Sequence, residues 1–314
     1  MTRSQALAWE RVRERLCLAY LAAIVVRNMC KLTVGLKLLP FRLVFALLPV
    51  LLVLPSLAAR DSSNQVSQIP NSYPEYGGAP GNLSVAARAR LVTVRIIGEQ
   101  STGSGVIIER IGQTYTVLTN AHVALEAGGE VYTILTADGR THSGYWLRKV
   151  EFGNYDLALV QFTSASQYQV AQMGNSDALT VGEFVYASGF PRWRVINSNT
   201  LEDTRDWGVN AFELTQGQVG MLSSKPLQNG YQIGYTNQIA PGMSGGPILD
   251  RYGHLVGING GLKYPVQGIS AFIFADGTMP SQALFQQMET FSWAIPIATF
   301  QRLFRPPTNS VVGF

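Results

Sequence analysis

PGMSGGPILD, residues 241–250, places a single serine, Ser244, between glycines and directly before an apolar segment. Glycine has no Cβ, so the backbone at Gly242 and Gly245 can take up positive φ angles and approach a substrate closely. Such a turn exposes one hydroxyl group and suits a nucleophile. The same composition is common in a plain β-turn between two strands, so this segment alone leaves both interpretations open.

Two segments upstream of this turn contain the partners that a serine nucleophile needs. His122 lies in YTVLTNAHVA (115–124), where an apolar run ends among small residues, and Asp156 directly precedes the apolar run of NYDLAL (154–159). Taken singly, the histidine could be structural and the aspartate a turn residue or strand-end cap. With Ser244 they occur in the order His, Asp, Ser, at separations of 34 and 88 positions. That order supplies a base for the serine proton and an acid to orient the base.

Around these segments the chain consists of short β-type runs punctuated by glycine. The predicted strands are Arg90–Ile97, Gly105–Glu109, Thr114–Thr119, Val131–Thr136, Leu157–Phe162, Phe184–Gly189, Gly217–Leu222, Ile248–Asp250, Leu255–Asn259 and Phe291–Ile295. Their spacing and the lack of long segments of helical period predict an all-β fold, either a sandwich or a pair of barrels. Helices are expected near the C-terminus, at Ser281–Met288 and at Pro296–Phe304, where Pro296 suits a first helical turn.

Together these segments strongly resemble the chymotrypsin-fold (trypsin-like) serine peptidases, and within them the HtrA/Deg-type bacterial branch. The resemblance runs through GSGVII (103–108), VLTNAHV (117–123), DLAL (156–159), MGNSDALTVGEFVYASGFP (173–191), PGMSGGPILD (241–250), HLVGINGG (254–261) and WAIP (293–296), so it covers most of residues 90–305. It implies an all-β fold of two six-stranded antiparallel β-barrels, at about residues 83–170 and 171–305, followed by a short C-terminal helix.

The resemblance also implies roles for individual residues. Ser244 is the nucleophile, His122 the general base and acid, and Asp156 the residue that orients His122, while the backbone N–H groups of Gly242 and Ser244 form the oxyanion hole. The residues placed at the substrate are Gln238, Ile239 and Ala240 in the primary pocket and Gly260 and Gly261 at an open strand edge. No aspartate stands in the pocket stretch, so an uncharged substrate side chain is expected. No cofactor and no metal are expected for the reaction.

The sequence departs from the family pattern in three ways. Met243 precedes the nucleophile, where digestive relatives have Asp and HtrA-type relatives usually have Asn. An apolar side chain cannot donate the hydrogen bonds of an Asn, which leaves open how the oxyanion turn is held. There is no IVGG-like activation site, so activation by a newly freed N-terminus is not expected. We also expect no PDZ domain after the protease domain.

A rival serine hydrolase can be excluded from the order of residues. GMSGG, residues 242–246, also fits the nucleophile elbow of α/β-hydrolases, in which the acid and the histidine follow the serine. Downstream of Ser244 the only histidine is His254, ten positions on and inside an apparent strand. No alternation of strands and helices is visible either, so this alternative fails.

The charge of the chain is concentrated in its N-terminal segment. The 314 residues carry a formal charge of +4, but residues 1–60 hold nine Lys/Arg against two acids, and residues 61–314 hold fifteen against eighteen. The body is therefore mildly acidic and carries no polybasic patch, which argues against nucleic acid as a partner. Both cysteines, Cys17 and Cys30, lie in the N-terminal segment, so the body has neither a disulfide nor a thiol nucleophile.

The N-terminal segment has the features of an export signal. The apolar run Leu43–Leu54 follows a basic stretch and precedes a small-x-small pattern that predicts cleavage after Ala58. The alternative is an uncleaved membrane anchor, although the run is at the lower length limit for a span. Met29 would give a signal of ordinary length, so residues 1–28 are predicted not to be translated normally. Residues 59–82 read as a flexible linker and residues 83–314 as the protease domain.

The sequence therefore predicts an exported serine endopeptidase, periplasmic or secreted, whose partner is a peptide or protein substrate. One alternative is a catalytically silent domain that keeps the protease fold and binds peptides. Another is a membrane-anchored peptidase with its domain outside, in which membrane contact comes only through the N-terminal segment. The sequence makes no prediction of oligomeric state.

Overall fold

The computed structural model describes residues 83–304, except residues 100, 127–130 and 198–199. The strands in this part of the chain are β1 (Thr93–Ile97), β2 (Thr102–Ile111), β3 (Thr114–Thr119), β4 (Val131–Leu135), β5 (Thr141–Trp146), β6 (Ala158–Thr163), β7 (Phe184–Gly189), β8 (Trp193–Asn197), β9 (Thr200–Asp203), β10 (Glu213–Leu222), β11 (Ile233–Tyr235), β12 (Pro247–Leu249), β13 (Leu255–Gly261) and β14 (Ser292–Pro296). The predicted signal segment, its cleavage site and the linker lie outside the described residues.

Twelve of these strands close into two antiparallel barrels of six strands each. The first barrel has the order β1-β2-β3-β6-β5-β4, and the second has the order β10-β11-β14-β13-β12-β7. The prediction of two six-stranded antiparallel barrels is confirmed. The remaining pair, β8 and β9, forms a separate two-stranded hairpin.

The apolar runs of the sequence are explained by two different surfaces of each barrel. In β3, Tyr115 and Val117 point into the first barrel, whereas Leu118 joins a cluster that also contains Leu249 and Ile258 of the second barrel. Because both faces of such a strand are covered, its residues are apolar almost without interruption. The two barrels are therefore packed against one another through a shared apolar layer.

The α-helices of the described residues are short and lie outside the barrels, and three 3-10 helices are found at Ser176–Ala178, Arg205–Ala211 and Gly268–Phe272. The α-helices are α1 (Val85–Val92), α2 (Ala121–Glu126), α3 (Gln282–Met288) and α4 (Ile297–Leu303). The two predicted C-terminal helices are present within one residue of their expected ends. None of the helices in the described part of the chain is long and apolar enough to cross a membrane.

The prediction that a strand begins at Arg90 is wrong, since residues 90–92 end helix α1. Ser84 caps this helix by accepting the Ala87 N–H at 3.2 Å, an interaction that typically stabilises a helix end by about 1 kcal/mol. Ala89 and Val92, three positions apart, form its buried face. The strand itself begins at Thr93.

Four strands were not predicted, because three of them lack the apolar pattern on which the prediction rests and the fourth, β11, is too short to show one. In β5 only Gly144 is buried, and β11 has three residues. The β8–β9 hairpin leaves its apolar side chains uncovered, with Val195, Ile196 and Leu201 between 40% and 48% exposed. A strand without a covered face does not need the alternation that sequence analysis detects.

Candidate active site

Three connections bring His122, Asp156 and Ser244 to the region between the barrels. His122 is the second residue of α2, which begins two residues after β3 ends, and Asp156 lies in the loop before β6. Ser244 lies in the turn before β12 of the second barrel. Its carbonyl accepts the N–H of Ser104, which is part of β2 in the first barrel, at 2.8 Å. The two barrels are thus tied together at the backbone of the predicted nucleophile.

Asp156 holds His122 at two points. Its Oδ1 accepts the backbone N–H of His122 at 2.9 Å, and its Oδ2 lies 2.7 Å from His122 Nδ1. The Asn120 side chain donates to the backbone carbonyl of Asp156 at 2.8 Å. The ring and the backbone of His122 are therefore both fixed by one carboxylate, which leaves the far ring nitrogen, Nε2, available to a second partner.

The electrostatics of the pair favour an ionised aspartate beside the histidine. Burial opposes charge on His122, but the hydrogen bond to Asp156 and the negative charges of Asp156 and Glu126 outweigh it, so the pKa of His122 is raised above its usual 6.5. Burial likewise disfavours the Asp156 carboxylate, but hydrogen bonds from His122 and Tyr231 and the charge of His122 outweigh it, so the pKa of Asp156 is lowered. The Asp156 side chain is 10% exposed and that of His122 is 36% exposed.

The turn that carries Ser244 is fixed by hydrogen bonds that buried side chains donate to its carbonyl groups. Ser104 Oγ donates to the carbonyl of Gly242 at 2.8 Å and accepts the N–H of Phe190 at 2.8 Å. The Asn259 side chain donates to the carbonyl of Met243 at 3.0 Å, while its own Oδ1 accepts the hydroxyl of Tyr235. Ser104, Asn259 and Tyr235 are all fully buried.

Two N–H groups of the same turn are unpaired in the part of the chain that the structure describes. Within the described residues, the N–H groups of Gly242 and Ser244 have no hydrogen-bond acceptor, whereas the N–H of Met243 donates to Ala240 at 3.0 Å. Unpaired N–H groups two residues apart, on a turn whose carbonyls are tied back, can stabilise a developing oxyanion. The Met243 side chain is fully buried in the apolar interior of the second barrel. Ser104 and Asn259 therefore supply the polar contacts that a methionine cannot make.

The predicted substrate residues do not all present side chains to solvent. Gln238 is exposed and Ala240 is half-buried, but the Ile239 side chain is 8% exposed and packs in the core of the second barrel. Gly260 and Gly261 end β13, beyond its pairing with β12, which stops at the Pro247–Ile258 pair. Both glycines are half-buried.

Sequence reasoning missed four residues that contact the site: Ser104, Asn120, Asn259 and Tyr231. Ser104, Asn120 and Asn259 lie inside segments that carry the family resemblance, so their positions were marked although their contacts were not. Tyr231 lies in no such segment, and only the fold brings it to Asp156. Within the described residues, no group of three or more His, Cys, Asp or Glu side chains is arranged to hold a metal ion.

Comparison with known proteins shows that the chain is similar to peptidases. The sequence pattern of the trypsin-like peptidase domain matches residues 103–258. The chain is 34% identical over 183 residues to "Putative serine protease HhoA" of Synechocystis sp., covering 58% of this chain and 41% of the relative. It is 31% identical over 175 residues to "Serine protease Do-like HtrB" of Bacillus subtilis, covering 55% and 35%. The chain therefore spans less than half the length of these relatives.

A solved structure of an "HtrA-type protease AlgW with tripeptide" also matches the chain. It is 22% identical in sequence, with a TM-score of 0.47, and the match covers 69% of this chain and 60% of that one.

Proposed function

We propose that this chain, which carries a trypsin-like peptidase domain and has relatives among the HtrA/Do serine proteases, is a serine endopeptidase acting through Ser244, His122 and Asp156. The observation that carries the proposal is the two-point hold of His122 by Asp156. A surface histidine that serves only as a structural residue does not need a carboxylate that fixes both its ring and its backbone. The unpaired N–H groups beside Ser244 add independent support.

The proposed reaction gives each of these groups one step. Ser244 Oγ attacks the carbonyl carbon of a peptide bond, and its proton passes to His122 Nε2. The carbonyl oxygen becomes negatively charged and accepts the N–H groups of Gly242 and Ser244. His122 then protonates the leaving amine, which departs and leaves an acyl-enzyme. Water, deprotonated by His122, hydrolyses this ester and restores Ser244.

The second candidate is a silent domain that binds peptides without cleaving them. The silent domain has less support, since the buried Ser104 and Asn259 bind the carbonyls of the turn and two of its N–H groups remain unpaired within the described residues, as an oxyanion hole would need. A domain that only binds peptides would have no need for an oriented base. The two candidates differ in the reactivity of one hydroxyl group.

A fluorophosphonate probe measures that reactivity directly. We expect the wild-type protein to be labelled stoichiometrically at Ser244, because the probe needs a serine activated by a neighbouring base. Ser244→Ala should abolish the labelling, and His122→Ala should slow it by about 10³-fold or more, in line with the loss of a triad member. Labelling is read by intact mass and by peptide mapping.

Ser270→Ala is the matched control for this experiment. Ser270 is exposed and donates only to the Gln267 carbonyl, so its loss should leave labelling unchanged. If the folded wild-type protein is not labelled, or if Ser244→Ala is labelled as well as the wild type, the endopeptidase proposal is wrong and the silent domain is preferred.

The substrate in this proposal is an extended peptide with an uncharged side chain in the primary pocket. Its backbone would pair with β13 at Gly260 and Gly261 along the edge that lies beyond the pairing of β12, since the other edge of β13 is paired with β14 at Gly261–Trp293. The Gln238 side chain and the backbone of Ile239 would line the pocket, since the Ile239 side chain is buried in the core.

Export of the domain is the other part of the proposal, and it rests on the sequence of residues 29–58. The apolar run, the basic residues before it and the small residues at its end are those of a cleaved signal. We expect the mature protein to begin at Ala59 outside the cytoplasm, as read by N-terminal sequencing of the extracytoplasmic fraction. A mature chain that still contains Leu43–Leu54 would support the membrane-anchored form instead, and recovery in the cytoplasm alone would contradict export.

A further inference from the structure

The Tyr231 side chain contacts the carboxylate of the proposed triad and has no role in the reaction just described. The hydroxyl of Tyr231 donates to Asp156 Oδ2 at 2.5 Å, and this oxygen is also the one that faces His122 Nδ1, at 2.7 Å. The other carboxylate oxygen, Oδ1, accepts the backbone N–H of His122. Tyr231 therefore shares with the histidine ring the oxygen on which the orientation of that ring depends.

The backbone that carries Tyr231 is built onto the Asp156 loop. The N–H of Asp156 donates to the carbonyl of Asn229 at 3.0 Å, and the N–H of Leu227 donates to the carbonyl of Tyr231 at 2.9 Å, which closes a tight turn. Asn229 has a φ of 66°, a conformation that is uncommon for residues other than glycine. Such a residue persists only where its surroundings hold it in place, and here the turn is fixed between the two barrels.

The space that the hydroxyl occupies exists because residue 260 is glycine. A Cβ at Gly260 would overlap with Tyr231 Oη, and it would also come within 2.9 Å of Tyr231 Cε1 and of Asn120 Oδ1. Any side chain at this position would push the hydroxyl away from Asp156. Gly260 thus has a second reason to be glycine, separate from its predicted contact with the substrate.

The surroundings of Tyr231 favour its protonated, neutral form. Burial and the charge and hydrogen bond of Asp156, with a smaller contribution from Tyr235, raise the pKa of Tyr231 well above 10. The hydroxyl can therefore only donate to the carboxylate. The charged groups that raise the pKa of His122 are Asp156 and Glu126, and the Tyr231 hydroxyl donates to Asp156, so the contact through which it acts on the histidine is this carboxylate.

We infer that Tyr231 is a positioning residue for the proposed triad: its hydroxyl, accommodated by Gly260, fixes the Asp156 carboxylate that orients His122. The inference rests on the proposed function for its effect on rate, but its structural part concerns only Tyr231, Asp156 and His122. Since the tyrosine hydroxyl and the Nδ1–H donate to the same oxygen, the tyrosine also withdraws part of the negative charge that faces the imidazole.

Tyr231→Phe tests the inference because it removes only the hydroxyl. We expect kcat to fall about tenfold on a peptide substrate while KM stays within about twofold, the size expected for losing one hydrogen bond to a charged group. Without the hydroxyl, more negative charge faces Nδ1–H and favours the imidazolium. The acidic limb of kcat/KM, which reports the pKa of His122, should therefore move to higher pH by about half a unit.

Tyr115→Phe is the matched control. Tyr115 is fully buried in the first barrel, and its hydroxyl donates to the Ser166 carbonyl at 2.8 Å, so the variant loses the same group from a buried site outside the proposed triad. It should unfold at a lower temperature without a change in kcat or in the pH limb. If Tyr231→Phe behaves in the same way, Tyr231 is only structural and the inference is wrong.

A second variant, Gly260→Ala, tests the same contact from the other side. It should lower kcat and shift the pH limb as Tyr231→Phe does, because its methyl group displaces the hydroxyl. The double variant Tyr231→Phe/Gly260→Ala should lower kcat by much less than the product of the two single effects, since both act on one contact. Fully multiplicative effects would overturn the role given to Gly260.

A measurement that needs no turnover separates this inference from the proposed function. In the Ser244→Ala protein, the NMR signal of the His122 Nδ1 proton and the pKa of His122 should both change on adding Tyr231→Phe. If the wild type is not labelled by fluorophosphonate but these signals change, the proposed function fails and the positioning contact stands. If labelling succeeds and the signals do not change, the positioning contact fails alone.

Discussion

Asp156→Asn is expected to lower kcat about 10⁴-fold while leaving the fold intact. In one orientation the new amide stabilises the wrong tautomer of His122, and in the other it loses the hydrogen bond to the His122 backbone. If the amide NH₂ replaces Oδ2, it donates to His122 Nδ1. This fixes the proton on Nε2, which can then no longer accept the proton of Ser244. If the amide is turned over, its NH₂ faces the backbone N–H of His122, where Oδ1 now accepts at 2.9 Å. Steady-state kinetics on a fluorogenic peptide, with thermal unfolding to check the fold, measure both effects.

The matched control for this variant is Asp138→Asn. Asp138 is also an aspartate that accepts hydrogen bonds, from Thr136, Arg140 and Tyr168. Burial opposes its charge, but these bonds and the charge of Arg140 outweigh burial and lower the pKa of Asp138. It belongs to a partly exposed cluster in the first barrel with no contact to His122, so kcat should stay within about twofold of the wild type. Retention of a tenth or more of kcat in Asp156→Asn would show that Asp156 does not orient the base.

The parts of the fold that could be predicted from the sequence are those with covered faces. β3 matched its prediction residue for residue, since Tyr115 and Val117 fill one barrel while Leu118 packs towards the other, which makes the run continuously apolar. The β8–β9 hairpin has no covered face and therefore no apolar period, so it was missed. The end of helix α1 was predicted to be strand because Arg90, Leu91 and Val92 are equally compatible with a helix and with a strand.

In the site too, some residues could be predicted from a local sequence pattern, whereas others come together only in the folded protein. His122, Asp156 and Ser244 each sit at a strand end or tight turn that the sequence marks, so their candidacy could be argued from residue order. The hydrogen bond that holds the Ser244 turn could not be predicted in this way. Ser104 lies 140 positions before Ser244, and its hydroxyl reaches the Gly242 carbonyl only once the two barrels have packed together. The sequence likewise does not show how the oxyanion turn is held without a polar side chain at Met243. In the structure, Ser104 and Asn259 donate to the carbonyls of this turn.

Gly242→Ala is expected to lower kcat by about 10²–10³-fold, the cost of losing one oxyanion donor, with little change in KM. Gly242 has a φ of 96°, which an alanine adopts only with strain. A Cβ at this position would also lie 2.5 Å from the N atom of Arg192 and 2.6 Å from the carbonyl oxygen of Phe190. Both neighbours are backbone atoms that cannot swing aside, so the turn itself must move, which displaces the Gly242 N–H.

The strain of a positive φ must be separated from this steric displacement, and Gly139→Ala provides the control. Gly139 has a φ of 81°, but a Cβ there would meet nothing within 4 Å, so the variant carries backbone strain of about 1–3 kcal/mol without displacing any neighbour. It should lower the unfolding temperature and leave kcat unchanged. The oxyanion donors act on the transition state more than on the bound substrate, so their loss should lower kcat. If Gly242→Ala changes only KM, or if its kcat falls no further than that of Gly139→Ala, the Gly242 N–H does not serve the reaction.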